Sequence, residues 1–307
     1  MINCDVNFDW FMIMSQQNTP RLSVIGFGEA GSSLCKGWGR RDVTAFDINQ
    51  SAQKTAEMDN AGVIRGTDAA STVKDADMIF STVTADQAHQ AASAVAAGIK
   101  PGAFYCDLNS CAPSTKQKNA ALIEAAGGRY VDVAVMATIT PKYHQTAMLV
   151  AGEHAPAAIE MMLALEMRPK HVPGPVGRAS TIKMVRSVLV KGIEALTAEC
   201  FTAAVRAGVA EEVAASLDAS QSKSGWTDQA TYNMERMTTH GIRRAAEMRE
   251  VAITLADLEI DGKMTAGTIE WQDKMGNLGL SLLETEGLEA RIEAIETAVK
   301  DASGLKR

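Results

Sequence analysis

The chain has 307 residues, of which 46% are apolar and 22% charged, with a formal net charge of −7. This is the composition of an ordinary globular protein with room for one or two cores. A net negative charge without any Lys/Arg cluster excludes a general pull towards nucleic acid, and no apolar run reaches the roughly 18 to 20 residues of a membrane span. The five cysteines, Cys4, Cys35, Cys106, Cys111 and Cys200, are scattered and odd in number. They show no C-x-x-C spacing, which predicts reduced thiols and a cytoplasmic location. His89, His144, His154 and His171 form no metal-ligand spacing, and no metal is expected.

Residues 1–19 read as a tail: they lack the basic start and continuous apolar run of a signal peptide, and Met14 is an alternative start. Leu22-Ser23-Val24-Ile25 then passes into Gly26-Phe27-Gly28-Glu29-Ala30-Gly31, and a helix-compatible stretch follows to Trp38. The spacing G-x-G-x-x-G between strand and helix predicts a dinucleotide site. Gly26 makes the turn, Gly28 admits the pyrophosphate and Gly31 allows close helix packing, while the helix N-terminus faces the phosphates. A second run, Val43 to Phe46, ends in Asp47, about 20 residues on, where a carboxylate accepts hydrogen bonds from the adenine ribose and repels a 2′-phosphate. NAD is therefore expected over NADP.

Short β-rich runs continue to alternate with helical stretches up to Gly174, as a parallel sheet with crossover helices requires. Met78 to Val83 is a strand whose carboxyl end releases Thr82, Val83 and Thr84, placed either to meet ligand or to cap a helix near Ala85. Ala103 to Leu108 ends in Asn109 and Ser110, which suit a substrate carboxylate or the nicotinamide amide, or simply begin a turn before Pro113. Tyr130 to Met136, Ala147 to Gly152 and His171-Val172 complete the strands, with a helix from Ala155 to Leu165. Pro173-Gly174-Pro175-Val176-Gly177 is the strongest punctuation, so a Rossmann-type α/β domain is expected over 20–177 and an all-α domain over 178–307.

In the second part, Ser180 and Thr181 are expected to cap a long helix with an apolar stripe through Ile182, Val185, Leu189, Ile193 and Leu196. Lys183, Ser187 and Lys191 recur on a neighbouring face, with Arg186 beside them. Further helices are expected over Glu211 to Ser220, over Asp228 to Glu259 as one helix or a pair broken at Gly241, and over Leu282 to Lys300. Gly262 and Gly267 are expected breaks. The apolar stripes exceed what a small helical domain hides, which predicts a homodimer. A lysine at the entry to the helical domain is a candidate acid/base, although a solvated helix flank is the commoner role of such a residue.

The glycine fingerprint, Asp132-x-Ala134-Val135, and Gly177-x-Ala179-x-x-x-Lys183 together resemble the β-hydroxyacid dehydrogenase superfamily over nearly the whole chain from Pro20. The resemblance implies an NAD(P)-dependent oxidoreductase of small 3-hydroxy acids or their semialdehydes, with Lys183 as acid/base. It also implies that Asn109 and Ser110 lie near nicotinamide and substrate. Two departures affect substrate: Arg186 and Ser187 stand where the family commonly has Asn or His and then Asn, and Met136-Ala137-Thr138 replaces a glycine-rich loop. Ala179 to Met184 and the run His240 to Met248 are similar to a bacterial 6-phosphogluconate dehydrogenase-like branch whose C-terminal domain has no assigned function. There His240, Arg243 and Arg244 are candidates for holding an anionic substrate, and one arginine alternatively pairs with a helix acid such as Glu247. The rival functions are imine reduction, oxidative decarboxylation of a 6-phosphogluconate-like acid, and a non-catalytic dinucleotide sensor.

Overall fold

The computed structural model describes residues 19–220 and 225–302, so residues 1–18 of the tail lie outside it. The described residues form two compact units, divided between Val188 and Leu189.

The first unit alternates strands and helices: β1 (Leu22–Ile25), α1 (Glu29–Trp38), β2 (Thr44–Phe46), α2 (Ala52–Ala61), β3 (Ile64–Arg65), α3 (Ala69–Val73) and β4 (Met78–Ser81). It continues with α4 (Ala88–Ala96), β5 (Phe104–Asp107), α5 (Pro113–Ala125), β6 (Arg129–Val135), β7 (Ala147–Ala151), α6 (Ala155–Ala164) and β8 (Arg168–His171). The eight strands lie in the order β3-β2-β1-β4-β5-β6-β7-β8. All pairs are parallel except β6 with β7. The chain leaves β1 towards β2 and later returns to β4 on the other side of β1. This opens a crevice at the carboxyl ends of β1 and β4, where ligands bind in open α/β sheets.

Neighbouring residues of a strand point to opposite faces, and both faces are covered, which is why these strands read as continuous apolar runs. Leu22, Val24, Met78, Phe80, Phe104 and Cys106 join one core, and Ile25, Ile79, Tyr105 and Tyr130 join the other. Each such side chain contributes about 1.5–3 kcal/mol through burial.

The helix α7 (Arg178–Ala207) contains the division between the units, and α8 (Ala210–Ser220), α9 (Trp226–Asp257), α10 (Lys263–Gly276) and α11 (Leu288–Ala302) follow. Three expectations are corrected and one alternative is decided. Ser180 and Thr181 lie inside α7 rather than capping it: the Thr181 hydroxyl donates back to Gly177 O at 2.8 Å, and the cap is the distant Asp132. Of the two alternatives at Gly241, the single continuous helix is the one observed. A Cβ there would lie 2.3 Å from Gln272 O, and one at Gly276 would lie 2.4 Å from Ile242 N, so these glycines let α9 and α10 touch backbone to backbone. Gly267 sits within α10 without breaking it, at a cost of about 1 kcal/mol relative to Ala, and the start of that helix is capped from outside by Glu199. The last helix begins at Leu288, since Gly287 adopts φ 83 just before it, and Leu282 is buried in the preceding loop.

Candidate functional site

Gly26 adopts φ 91, and a Cβ there would meet Thr82 O and Val83 Cγ1 at 2.8 Å. At Gly31 a Cβ would lie 2.2 Å from Gly26 O, so both glycines are dictated by close backbone approach. Gly28 differs. A Cβ there would meet nothing within 4 Å, so its bareness leaves space rather than relieving a clash. It is the N-cap of α1 with no side-chain cap, which leaves the first N–H groups of that helix facing the crevice. Thr82 donates its hydroxyl to Gly26 O at 2.7 Å and pins the turn. The Phe27 ring is fully buried, and its peptide is held from both sides: N–H to Asp47 Oδ2 at 2.5 Å, and O from Lys54 Nζ at 2.8 Å. Asp47 also accepts from Asn49 N at 2.8 Å, so the end of β2 delivers the carboxylate to the glycine turn.

Two cavities flank the carboxyl end of β4 and share Thr82, Val83 and Thr84. One, of about 240 Å³, is apolar, walled by Ile25, Phe46, Ile48 and Ala91, with Gly28 and Asp47 at its edge. The other, of about 440 Å³, is lined by Glu29, Ala30, Asn109, Ser110, Thr138 and Lys183 among others. A larger cavity of about 820 Å³ lies against Asp77, Phe104 and Arg129, at the amino ends of the strands and away from the crevice.

In the second of the flanking cavities Lys183 Nζ donates to Ser110 Oγ at 2.7 Å. Asn109 is 4% exposed; its Nδ2 donates to Ser81 Oγ at 2.9 Å, while its Oδ1 is buried with no partner. The structure thus brings together Gly26, Gly28, Asp47, Thr82 and Val83 on one side, and Glu29, Ala30, Asn109, Ser110 and Lys183 on the other. Arg186 and Ser187 do not line either cavity. Arg186 is exposed, and the Ser187 hydroxyl donates to Lys183 O at 2.9 Å. His240, Arg243 and Arg244 lie in the second unit. There His240 and Arg244 are half-buried and Arg243 exposed, and Arg244 lines a separate cavity of about 380 Å³ with Arg236, Tyr232 and Gln272.

The residues missed from sequence lie beneath the site. Asp107 and Asp132 are register partners on adjacent strands, both fully buried, and Lys116 of α5 is fully buried between them. Lys116 Nζ lies 3.0 Å from Asp107 Oδ1 and 3.6 Å from Asp132 Oδ1. Asp107 also accepts from the Asn109 N–H at 2.9 Å and from the Tyr130 hydroxyl at 2.6 Å. The available signal was an Asp inside each of two apolar runs, a pattern that demands a buried partner. Desolvation pushes the nearby Cys106 thiol up, with the Asp107 charge adding to it, and burial likewise raises Cys111 beside Ser110.

These groups fit a nicotinamide dinucleotide on three observations: the open space at Gly28 beside an uncapped helix start, the Asp47 carboxylate at the end of β2, and the orphaned Asn109 Oδ1. Asn109 can accept a carboxamide N–H, and the helix start can face a pyrophosphate.

Residues 21–165 match the NAD-binding domain of 6-phosphogluconate dehydrogenase, and residues 204–275 match a domain of unknown function, DUF1932. A conserved hypothetical protein from Sinorhizobium meliloti 1021 is 32% identical, with 92% of this chain and 98% of that one covered and a TM-score of 0.57. A conserved protein of unknown function, described as structurally similar to 3-hydroxyacid dehydrogenases, is 26% identical over 89% of this chain and 99% of that one, with a TM-score of 0.55. An imine reductase from Myxococcus stipitatus in complex with NADP+ shares the fold at 18% identity and a TM-score of 0.67, covering 85% of this chain and 95% of its own. The uncapped glycine turn, the cavity at the switch point and these matches agree: the chain belongs to the β-hydroxyacid dehydrogenase superfamily, in the branch that joins a 6-phosphogluconate dehydrogenase-type NAD-binding domain to DUF1932, and is an NAD(P)-dependent oxidoreductase.

Proposed function

We propose that the protein oxidises a small 3-hydroxy acid, or reduces the corresponding semialdehyde, with NAD as cofactor and Lys183 as acid/base. The observation that carries this reading is Lys183 Nζ, 2.7 Å from Ser110 Oγ, in a cavity that shares a wall with the dinucleotide crevice. When bound, the nicotinamide accepts or donates the hydride. In oxidation Lys183, entering as the neutral amine, takes the proton of the substrate hydroxyl and becomes the ammonium, and in reduction the ammonium returns that proton. Ser110 holds the lysine head towards the reacting oxygen. Asn109 Oδ1 fixes a carboxamide, and the α1 N-terminus balances phosphate charge. Glu29 and Lys183 line that cavity with opposite charges, so a substrate carboxylate is expected on the Lys183 side, away from Glu29. Asp47 disfavours a 2′-phosphate by charge repulsion and so supports NAD over NADP. The exposed apolar residues Leu189, Ile193 and Leu196 support a homodimer.

The test is NADH formation, followed by absorbance, with a panel of branched, polyol and phosphorylated 3-hydroxy acids. Wild type should turn over at least one of them, and Lys183→Ala should lose on the order of 10²–10⁴ in kcat while still binding NAD. Near wild-type turnover by that variant would refute the role of Lys183. Silence of the wild type across the panel, with turnover of a cyclic imine, would replace alcohol chemistry by imine reduction. Tighter binding of NADP than NAD would overturn the cofactor preference.

A further inference from the structure

We propose that the buried chain Asp132–Lys116–Asp107 is a positioning device that sets Lys183 against Ser110; this rests on the acid/base reading of Lys183 above. Two carboxylates are brought side by side on β5 and β6 in a fully buried position, and Lys116 sits between them as their shared partner. Each carboxylate spends its remaining acceptor capacity on one wall of the site.

Asp132 takes the start of α7. Its Oδ2 accepts from the N–H groups of Gly177 and Ser180 at 3.0 and 3.1 Å, and its Oδ1 accepts from the Ser180 hydroxyl at 2.5 Å. The carboxylate thereby meets the positive end of the helix dipole, in a dry setting where the attraction is strongest. Ala179, fully buried against Ala134 and Ala151, wedges the same turn onto β6 and β7. Lys183 follows Ser180 by three residues, which is about one helical turn.

Asp107 takes the other wall. It accepts from the Asn109 N–H, one residue before Ser110, and from Asn119 Nδ2 and the Tyr130 hydroxyl. Lys116 also donates to Asp107 O and so grips the exit of β5. The helix turn carrying Lys183 and the loop carrying Ser110 are therefore tied, within a few bonds, to one buried ammonium. Lys116, Asp107, Asp132 and Ser180 line neither cavity, so they act through the pair and not on the substrate.

The obvious variant, Lys116→Met, strands two buried carboxylates and tests folding before it tests positioning, so Ser180→Ala is the primary test. It removes one anchor of α7 and leaves the Lys116 bridge in place. Ser180→Thr keeps the hydroxyl as the rescue, and Val95→Ala serves as a core control remote from the pair. The full-length protein is labelled with limiting acetic anhydride, and Lys183 modification is read by peptide mass spectrometry against the exposed Lys74. Labelling needs no substrate. In Ser180→Ala, Lys183 labelling should rise about threefold or more relative to Lys74 as it leaves Ser110, with rescue in Ser180→Thr. On a substrate that is turned over, kcat should fall on the order of 10-fold or more with little change in NADH affinity.

Labelling and kcat that move no further in Ser180→Ala than in Val95→Ala, once matched for loss of Tm, would overturn the proposal. If Lys183→Ala keeps its turnover, the acid/base reading fails, while Lys183 labelling still decides whether the anchor holds it.

Discussion

The two units bury their apolar residues in different ways. In the first, Phe27, Leu34, Met78, Ile79 and Phe80 are all under 2% exposed, because helices cover both faces of the sheet and close the cores within the chain. In the second, Ile193, Leu196, Trp271 and Leu283 remain 42%, 45%, 58% and 70% exposed, and the buried apolar residues among those described are Ala204, Ala245, Leu255, Met275 and Leu282. A sheet layer completes its own core, whereas a few helices with one stripe each do not. The first unit is stabilised by its interior, and the second by backbone contacts, caps and whatever covers its stripes.

The largest effect expected from this contrast is in the first unit. Phe80→Ala should cost about 3–5 kcal/mol by chemical denaturation, with no dependence on protein concentration. In the second unit Gly241→Ala should cost about 1–3 kcal/mol, because its new carbon would press on the α10 backbone 2.3 Å away and no side chain can yield. A smaller loss there would mean the helices separate easily. The homodimer proposal predicts that Ile193→Ser with Leu196→Ser shifts the species seen by light scattering from dimer to monomer at micromolar concentration. A wild type already monomeric would break that part of the comparison.

The smallest effect concerns Glu199, which caps α10 from a distance: Oε2 accepts from Met264 N and Oε1 from Thr265 N, both at 2.9 Å. Partial burial works to raise this carboxyl, but the hydrogen bonds from Thr265 and Met264 outweigh it and hold the group below its ordinary value of 4.5. A depressed carboxyl stabilises the fold above its unfolded pKa and loses that contribution as pH falls through the folded value. Glu199→Gln should therefore cost about 1 kcal/mol near neutrality. The gap to wild type should close only below about pH 4.5. A gap that stays constant down to pH 3 would show that shape alone, not charge, makes the cap.

The same contrast governs what could be read from sequence. The glycine turn and Asp47 were legible because each glycine answers a local need, and the strands because alternation to two covered faces leaves continuous apolar runs. Lys183 was legible by spacing and resemblance, yet its bond to Ser110 spans 73 residues and has no local signature. Lys116 passed as one more polar residue on α5, because burial among carboxylates is decided by strand register. Gly241 and Gly267 look alike in sequence: one is required by a neighbouring backbone and the other meets nothing within 4 Å. That difference is invisible without the partner helix.

The cysteines divide along the same line and give the molecule a chemical asymmetry. Burial holds Cys35 up to about 12 and raises Cys106 and Cys111, so in the first unit these thiols resist alkylation and oxidation near neutral pH. Cys200, in the second unit, is exposed. With Cys4 replaced by serine, a maleimide dye should attach at Cys200 alone in the native protein. That single replacement turns Cys200 into a one-point handle on the helical unit, suited to watching that unit by fluorescence as nucleotide binds to the other.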